Sequence, residues 1–225
     1  MGRATGGDAE PLLALRERAA AEYRSHREAF TRDGGAVGHQ RNLTNLMEAC
    51  TFLAEFQPAL VPGRLQTAAY IRDVIGVDPF HEGDDDPAGT LQRVIAAKIR
   101  RQSILYEPGR EFVHVVTEAA LRLRIGALTP TTLRGQLFHL AELATLPGHT
   151  FGVIPFSSPC PAMPSGFSFY DRDLVQLESS AGVLEITDPE PVVRYARWLE
   201  RLVAVAMTGE EAAAFCREVA ASLPD

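Results

Sequence analysis

Apolar residues recur at helical spacing along much of the chain. Leu43, Met47, Cys50 and Ala54 fall on one face of a helix, together with Leu46 and Leu53, and predict a helix over residues 42–56. Pro11 suits a first helical position and Asp33-Gly34-Gly35 supplies a stop, so a helix is expected over residues 11–31. The further predicted helices cover residues 65–75, 90–105, 118–124, 131–146, 188–207 and 208–223.

A second pattern, with β-branched and aromatic residues in short runs, predicts strands. These strands cover residues 112–116, 149–156, 167–170, 174–177 and 183–186. Gly, Ser, Asp and Arg separate the last three runs, which favours antiparallel hairpins. The expected fold class is α+β, mostly helical with a small antiparallel sheet of about four or five strands. Residues 1–9 are expected to be a disordered tail and residues 10–40 a helical appendage ahead of the main domain, 41–225.

Composition narrows the class of protein. The 225 residues carry a formal net charge of −7, which disfavours binding to a nucleic-acid backbone. The first ten residues lack the apolar core of a signal peptide, and no run approaches the roughly 18 apolar residues that span a bilayer, so we expect a cytoplasmic protein. The three cysteines are widely spaced, and no motif for a metal or a cofactor is present. We therefore expect neither a metal nor a cofactor.

Few side chains indicate chemistry by their position alone. His139 lies on a predicted helix and is interpreted first as a structural group. Cys160 lies between two prolines, where it is either a reactive thiol or an ordinary loop residue. The basic residues Arg93, Lys98 and Arg101 lie on one predicted helix with Arg100, and they form either a solvated face or a patch that recognises anions.

Five short motifs, in order, resemble a known family. They are Val61–Thr67 followed by Tyr70, the Arg101-Gln102 pair, Thr117–Leu121, Gln136–Leu140 and Val153–Phe156. This pattern resembles the actinobacterial "domain of unknown function 5753", which usually follows an XRE-type helix-turn-helix in antitoxin-like transcriptional regulators. The resemblance implies a regulatory or sensor domain from proteins that are often encoded beside a small toxin-like partner.

The motifs also suggest a ligand site. Gln66 lies in the first turn of a predicted helix and Glu118 begins another after a strand, two positions where polar groups can meet a ligand. The residues predicted to bind a ligand are Arg64, Gln66, Arg101, Gln102 and Glu118. Alternatively, these side chains anchor the helices to the sheet.

The first functional hypothesis is a stand-alone sensor domain, residues 41–225, which binds a small acidic ligand or a small partner protein. About 40 residues precede the matched segments, too few for a helix-turn-helix domain, so we do not expect this chain to bind DNA alone. No membrane is expected as a partner, and a second copy of the chain is a further candidate. The alternative hypothesis is an enzyme of specialised metabolism recruited from the regulator fold, with Arg64, Glu118, His139 and Cys160 as its catalytic groups.

Overall fold

A mixed β-sheet with helices on both faces forms the framework of the chain. The computed structural model describes residues 23–25, 36–76, 86–162, 165–179 and 182–224. The strands are β1 (Tyr23–Ser25), β2 (Phe52–Gln57), β3 (Glu111–Thr117), β4 (His149–Ile154), β5 (Phe167–Tyr170), β6 (Leu174–Ser179), β7 (Gly182–Ile186) and β8 (Met207–Thr208). The helices are α1 (Ala36–Ala49), α2 (Ala68–Ile75), α3 (Pro87–Arg101), α4 (Glu118–Arg122), α5 (Pro130–Leu143), α6 (Pro189–Val205) and α7 (Gly209–Ser222), and a 3₁₀ turn (Gln102–Tyr106) follows α3.

The eight described strands lie in the order β1-β7-β6-β5-β2-β3-β4-β8. Strands β2, β3 and β4 are parallel neighbours, and the other pairs are antiparallel. The predicted antiparallel sheet of four or five strands is therefore wrong. Parallel neighbours require long crossover connections, and here α2 and α3 join β2 to β3 while α4 and α5 join β3 to β4.

The central strand β2 was not predicted. The helix expected over 42–56 ends at Ala49, and Phe52–Gln57 forms a strand whose first five residues are all buried. A strand buried on both faces has a continuous apolar run, which periodicity alone does not distinguish from a buried helix. Strand β8 was also missed, because two residues carry no pattern.

The predicted helix over residues 11–31 and the tail over 1–9 lie largely outside the described residues. Within them, Tyr23–Ser25 is a strand that pairs antiparallel with β7, so the helix is wrong at that point. The remaining predicted helices and strands are confirmed, with ends that differ by a few residues. Among the described residues, no helix combines the length and apolarity needed to cross a membrane.

Each face of the sheet packs against helices. On one face Leu53, Val116 and Phe151 belong to a core completed by residues of α2, α5 and α7, such as Tyr70, Leu137 and Cys216. On the opposite face, Phe56, Val115 and Phe169 share a second core with Leu199 and Leu202 of α6. Burial of this apolar surface on both sides is the main term that stabilises the sheet.

Side-chain caps fix where several helices begin. Thr67 accepts a hydrogen bond from the backbone N–H of Tyr70 at the start of α2, and Asp188 accepts one from the backbone N–H of Glu190 at the start of α6. Thr208 makes no such bond at the start of α7, although Thr208 and Glu211 have the spacing of a capping box.

Candidate functional site

A cavity of about 420 Å³ lies between the sheet and helices α1, α2 and α3. We refer to it as the sheet–helix cavity. Its floor is formed by side chains of β2, β5 and β6, among them Glu55, Gln57, Ser168, Tyr170 and Glu178. Its walls include Gln40, Met47, Arg64, Gln66, Lys98 and Arg101. A volume of this size lies within the range of about 300–1,000 Å³ that is typical of small-molecule sites.

Strand register explains why a cavity forms at this place. Glu55 on β2 pairs with Ser168 on β5, which in turn pairs with Gln176 on β6. Because successive side chains of a strand alternate between faces, this polar row shares its face with Leu53 and the apolar core over β3 and β4. The helices cover the apolar half of the face, and the polar half borders the cavity.

Arg64 is held at the cavity by one contact from each of its three guanidinium nitrogens. Its Nη1 donates to Oε2 of Glu55, its Nη2 donates to the Tyr170 hydroxyl at 2.8 Å, and its Nε lies 3.3 Å from the Met47 sulfur. The Arg64 and Glu55 side chains are only 8% and 6% exposed, and Gln57 Nε2 donates to the other Glu55 oxygen at 3.0 Å. The charges of Arg64 and Glu55 neutralise one another, so this pair positions the cavity floor more than it attracts a ligand.

Arg101 differs from Arg64 because it forms no ion pair with a described carboxylate. It is 8% exposed, and its only described hydrogen bond runs from Nη1 to the backbone oxygen of Gln40 at 3.3 Å. Its Nε is buried and has no hydrogen-bond partner among the described residues, and no described carboxylate lies within 4.0 Å. Burial and the neighbouring Arg64 charge lower the pKa of Arg101 to about 10, which still leaves the guanidinium charged at neutral pH.

The turn before α2 forms a polar wall beside Arg101. Gln66 Nε2 donates to the Val61 carbonyl at 2.8 Å, and Lys98 Nζ lies 3.3 Å from Gln66 Oε1. Gln102 does not line the cavity; its Nε2 donates to the backbone oxygen of Gln66 at 2.6 Å. Gln102 is thus a support for the wall, the anchoring role that the sequence left open as the alternative.

Glu118 lies away from the cavity. One of its carboxylate oxygens accepts from Arg122 Nε at 2.6 Å, and the other accepts from the backbone N–H of Phe156 at 2.8 Å. The carboxylate ties the start of α4 to the end of β4, which is again the anchoring role. Of the five predicted ligand residues, Arg64, Gln66 and Arg101 line one cavity.

The predicted catalytic set does not gather at the cavity. His139 on α5 is partly buried, and burial lowers its pKa. Cys160 is exposed, and its thiol pKa is raised, so it lacks the thiolate character of an activated nucleophile. Only Arg64 of the four lines the cavity. Within the part of the chain that the structure describes, no three metal-ligating side chains converge.

Sequence reasoning missed Glu55, Tyr170 and Gln40. Glu55 carried a signal, because a carboxylate in the middle of the apolar run Phe52–Phe56 needs a buried partner. The run was interpreted as the end of the helix over 42–56, so a buried position for Glu55 was not recognised. Gln40 and Tyr170 carried no comparable signal.

Comparisons with known proteins give a family and no activity. A family model described as "Domain of unknown function (DUF5753)" matches residues 40–218. No curated protein matches the chain. Among solved structures, NucT from Helicobacter pylori is similar at 11% identity and a TM-score of 0.39, with 75% of this chain and 92% of that chain covered, and a likeness this weak carries no argument. Because the family model spans most of the chain, the protein belongs to the DUF5753 family.

Proposed function

We propose that this chain is a sensor domain that binds a small acidic ligand in the sheet–helix cavity. The observation that carries the proposal is the buried guanidinium of Arg101, which borders an open volume without a carboxylate partner among the described residues. A buried charge is costly unless it is paired, so an anionic ligand would supply the missing interaction.

The charge balance of the lining supports an anion. Among the described residues of the lining, Arg64, Lys98 and Arg101 are basic and Glu55 and Glu178 are acidic. The whole chain, by contrast, has a net charge of −7. The described lining is therefore richer in basic than in acidic side chains, unlike the chain as a whole, and this composition favours an anionic group.

The alternative of a recruited enzyme has no comparable support. Arg64 is the one predicted catalytic group at the cavity, and Glu55 and Tyr170 already occupy its donors. The alternative of a small partner protein rests on the family's genomic context, and no described surface favours it. We therefore propose ligand binding alone, with regulation as its biological use.

The test is calorimetric titration of the full chain with small compounds that carry a carboxylate or phosphate group: 4-methylpentanoate, 3-phenylpropionate, succinate, leucine, phenylalanine and inorganic phosphate. We expect at least one to bind and Arg101→Gln to weaken it at least about tenfold, because a hydrogen bond to a charged group is lost. Arg100→Gln is the matched control, since Arg100 is the exposed neighbour on α3 and does not line the cavity. The proposal fails if none of these compounds binds, or if the Arg101→Gln variant binds them as tightly as the Arg100→Gln variant does.

A further inference from the structure

We propose that the ligand is an α-amino acid with an apolar side chain, whose carboxylate pairs with Arg101 and whose ammonium group meets Gln40 and the charge of Glu178. This inference rests on the proposed function and names the chemical class of its ligand. Three features of the cavity support it. They are a buried donor and a buried acceptor without hydrogen-bond partners among the described residues, a carboxylate that forms no ion pair with a described residue, and apolar walls.

The first feature is a buried donor beside a buried acceptor, both without partners. Arg101 Nε and Gln40 Oε1 are buried, and neither has a hydrogen-bond partner among the described residues. The two residues are adjacent, because Arg101 Nη1 donates to the Gln40 backbone oxygen at 3.3 Å. A simple carboxylate would satisfy Arg101 and leave the Gln40 oxygen without a donor. An amino acid carries an acceptor and a donor on neighbouring atoms, which matches Arg101 and Gln40 where the two residues line the cavity.

The second feature is the carboxylate of Glu178. Glu55 and Glu178 are the two acidic residues of the lining, and Arg64 and Gln57 already engage Glu55. Glu178 is exposed at the edge of the cavity and forms no ion pair with a described residue.

The same carboxylate affects Arg101 across the open volume. The two side chains do not touch within 4.0 Å. Burial lowers the pKa of Arg101, and the charges of Tyr170, Glu55 and, least of the three, Glu178 act to raise it. Opposite charges thus face the same space from α3 and β6. A ligand with one charge of each sign matches this arrangement, whereas a dianion would meet Glu178 with repulsion.

The third feature is the apolar character of the helical walls. The apolar side chains of the lining are Leu43, Met47, Leu60, Val61, Val74 and Ile75, with Val183 on the sheet. Burial of apolar surface against such walls is favourable by about 25 cal/mol per Å². An aliphatic or aromatic side chain on the ligand therefore gains from the walls, while a polar one would lose its water contacts.

The test compares four ligands that differ in one group each: leucine, N-acetylleucine, leucinamide and 4-methylpentanoate. We expect leucine to bind at least about tenfold more tightly than either N-acetylleucine or 4-methylpentanoate, which lack the ammonium group. Leucinamide, which lacks the carboxylate, should bind no better than those two. The same series built on phenylalanine and on aspartate tests the side chain, and aspartate is expected to bind more weakly than leucine.

Variants separate the roles of the two charges. Glu178→Gln should weaken the binding of leucine about threefold, because an exposed charge contributes little. The affinity for 4-methylpentanoate should not change. Glu111→Gln is the matched control, an exposed strand glutamate outside the cavity. If 4-methylpentanoate binds as tightly as leucine, or Glu178→Gln affects both equally, the amino-acid proposal is overturned while anion binding stands. If none of the tested compounds binds, both the amino-acid proposal and the proposed function fail.

Discussion

His114 and His149 form a buried imidazole pair in which Nδ1 of His114 lies 2.8 Å from Nε2 of His149. The tautomers follow from the next contact, because His149 Nδ1 lies 3.1 Å from the Leu143 carbonyl, which can only accept. His149 is therefore protonated on Nδ1 and accepts on Nε2, and His114 donates from Nδ1. The remaining His114 Nε2 is buried without a partner among the described residues.

This pair should make the fold sensitive to acid. Burial lowers the pKa of His149 to about 4 and holds that of His114 well below its usual range. Between pH 6.5 and 4 the unfolded chain binds a proton that native His149 does not, so the free energy of unfolding falls as the pH falls. We expect a loss of about 2 kcal/mol from His149 between pH 7 and pH 5.

Urea unfolding at pH 5, 6, 7 and 8 measures this dependence. His149→Gln keeps one donor and one acceptor and removes the titration, so its stability should change less over the same range. If the free energy of unfolding depended on pH equally in the variant and the parent chain, His149 would not be the source of the acid sensitivity.

Removal of the Glu55 charge should destabilise the fold strongly. Glu55→Gln leaves the buried Arg64 cation without its counter-charge, which typically costs about 3–5 kcal/mol. The control is Glu190→Gln, which breaks an exposed pair with Arg194 and should cost no more than about 0.5 kcal/mol. Urea unfolding at pH 7 measures both variants. Comparable losses in the free energy of unfolding would contradict the difference expected between the buried and the exposed ion pair.

Gln136 joins α5 to the turn that precedes α2. It is fully buried; its Oε1 accepts from the Thr67 N–H at 2.7 Å and its Nε2 donates to the Leu65 carbonyl at 2.6 Å. Gln136→Leu has a similar shape but leaves both backbone groups unsatisfied, so we expect a loss of about 2–4 kcal/mol in the free energy of unfolding. A nearly neutral variant in thermal and urea unfolding would show that water replaces these contacts.

Glu118 should matter for stability and not for ligand binding. Glu118→Gln removes the charge that pairs with Arg122 but keeps an acceptor for the Phe156 N–H, so the expected loss is about 1 kcal/mol. Ligand affinity in the calorimetric titration should stay within about twofold of the parent chain. A large loss of affinity at unchanged stability would place Glu118 at the site after all.

The parallel core of the sheet was within reach of sequence reasoning. The strand at 112–116, the helices over 118–146 and the strand at 149–156 were all predicted, and a strand–helix–strand order favours parallel pairing. The parallel topology was not predicted because β2 was assigned to a helix. Leu53 and Ala54 extend the apolar stripe of the preceding helix, so the strand was not distinguished from it. Without β2, the prediction contains no parallel strand that precedes β3 in the sequence. The predicted sheet was therefore built on its antiparallel hairpins.

The site was predictable only in part, for a different reason. Arg64, Gln66 and Arg101 were named through the family motifs, and their convergence depends on how α3 packs against the turn at 61–67. Glu118 belongs to the same motifs, yet it stabilises a helix start elsewhere. A shared motif shows that a polar residue is needed, and only the fold shows whether it meets a ligand or the backbone.

The floor of the cavity includes a strand whose backbone is paired on both sides. Strand β2 pairs with β3 along all of Phe52–Gln57 and with β5 over Leu53–Phe56. Amide hydrogens in such a strand exchange with solvent only through large openings of the domain, whereas the eight-residue helix α2 and the turn before it can open locally. A bound ligand would therefore slow deuterium uptake in the walls and leave the already slow floor unchanged.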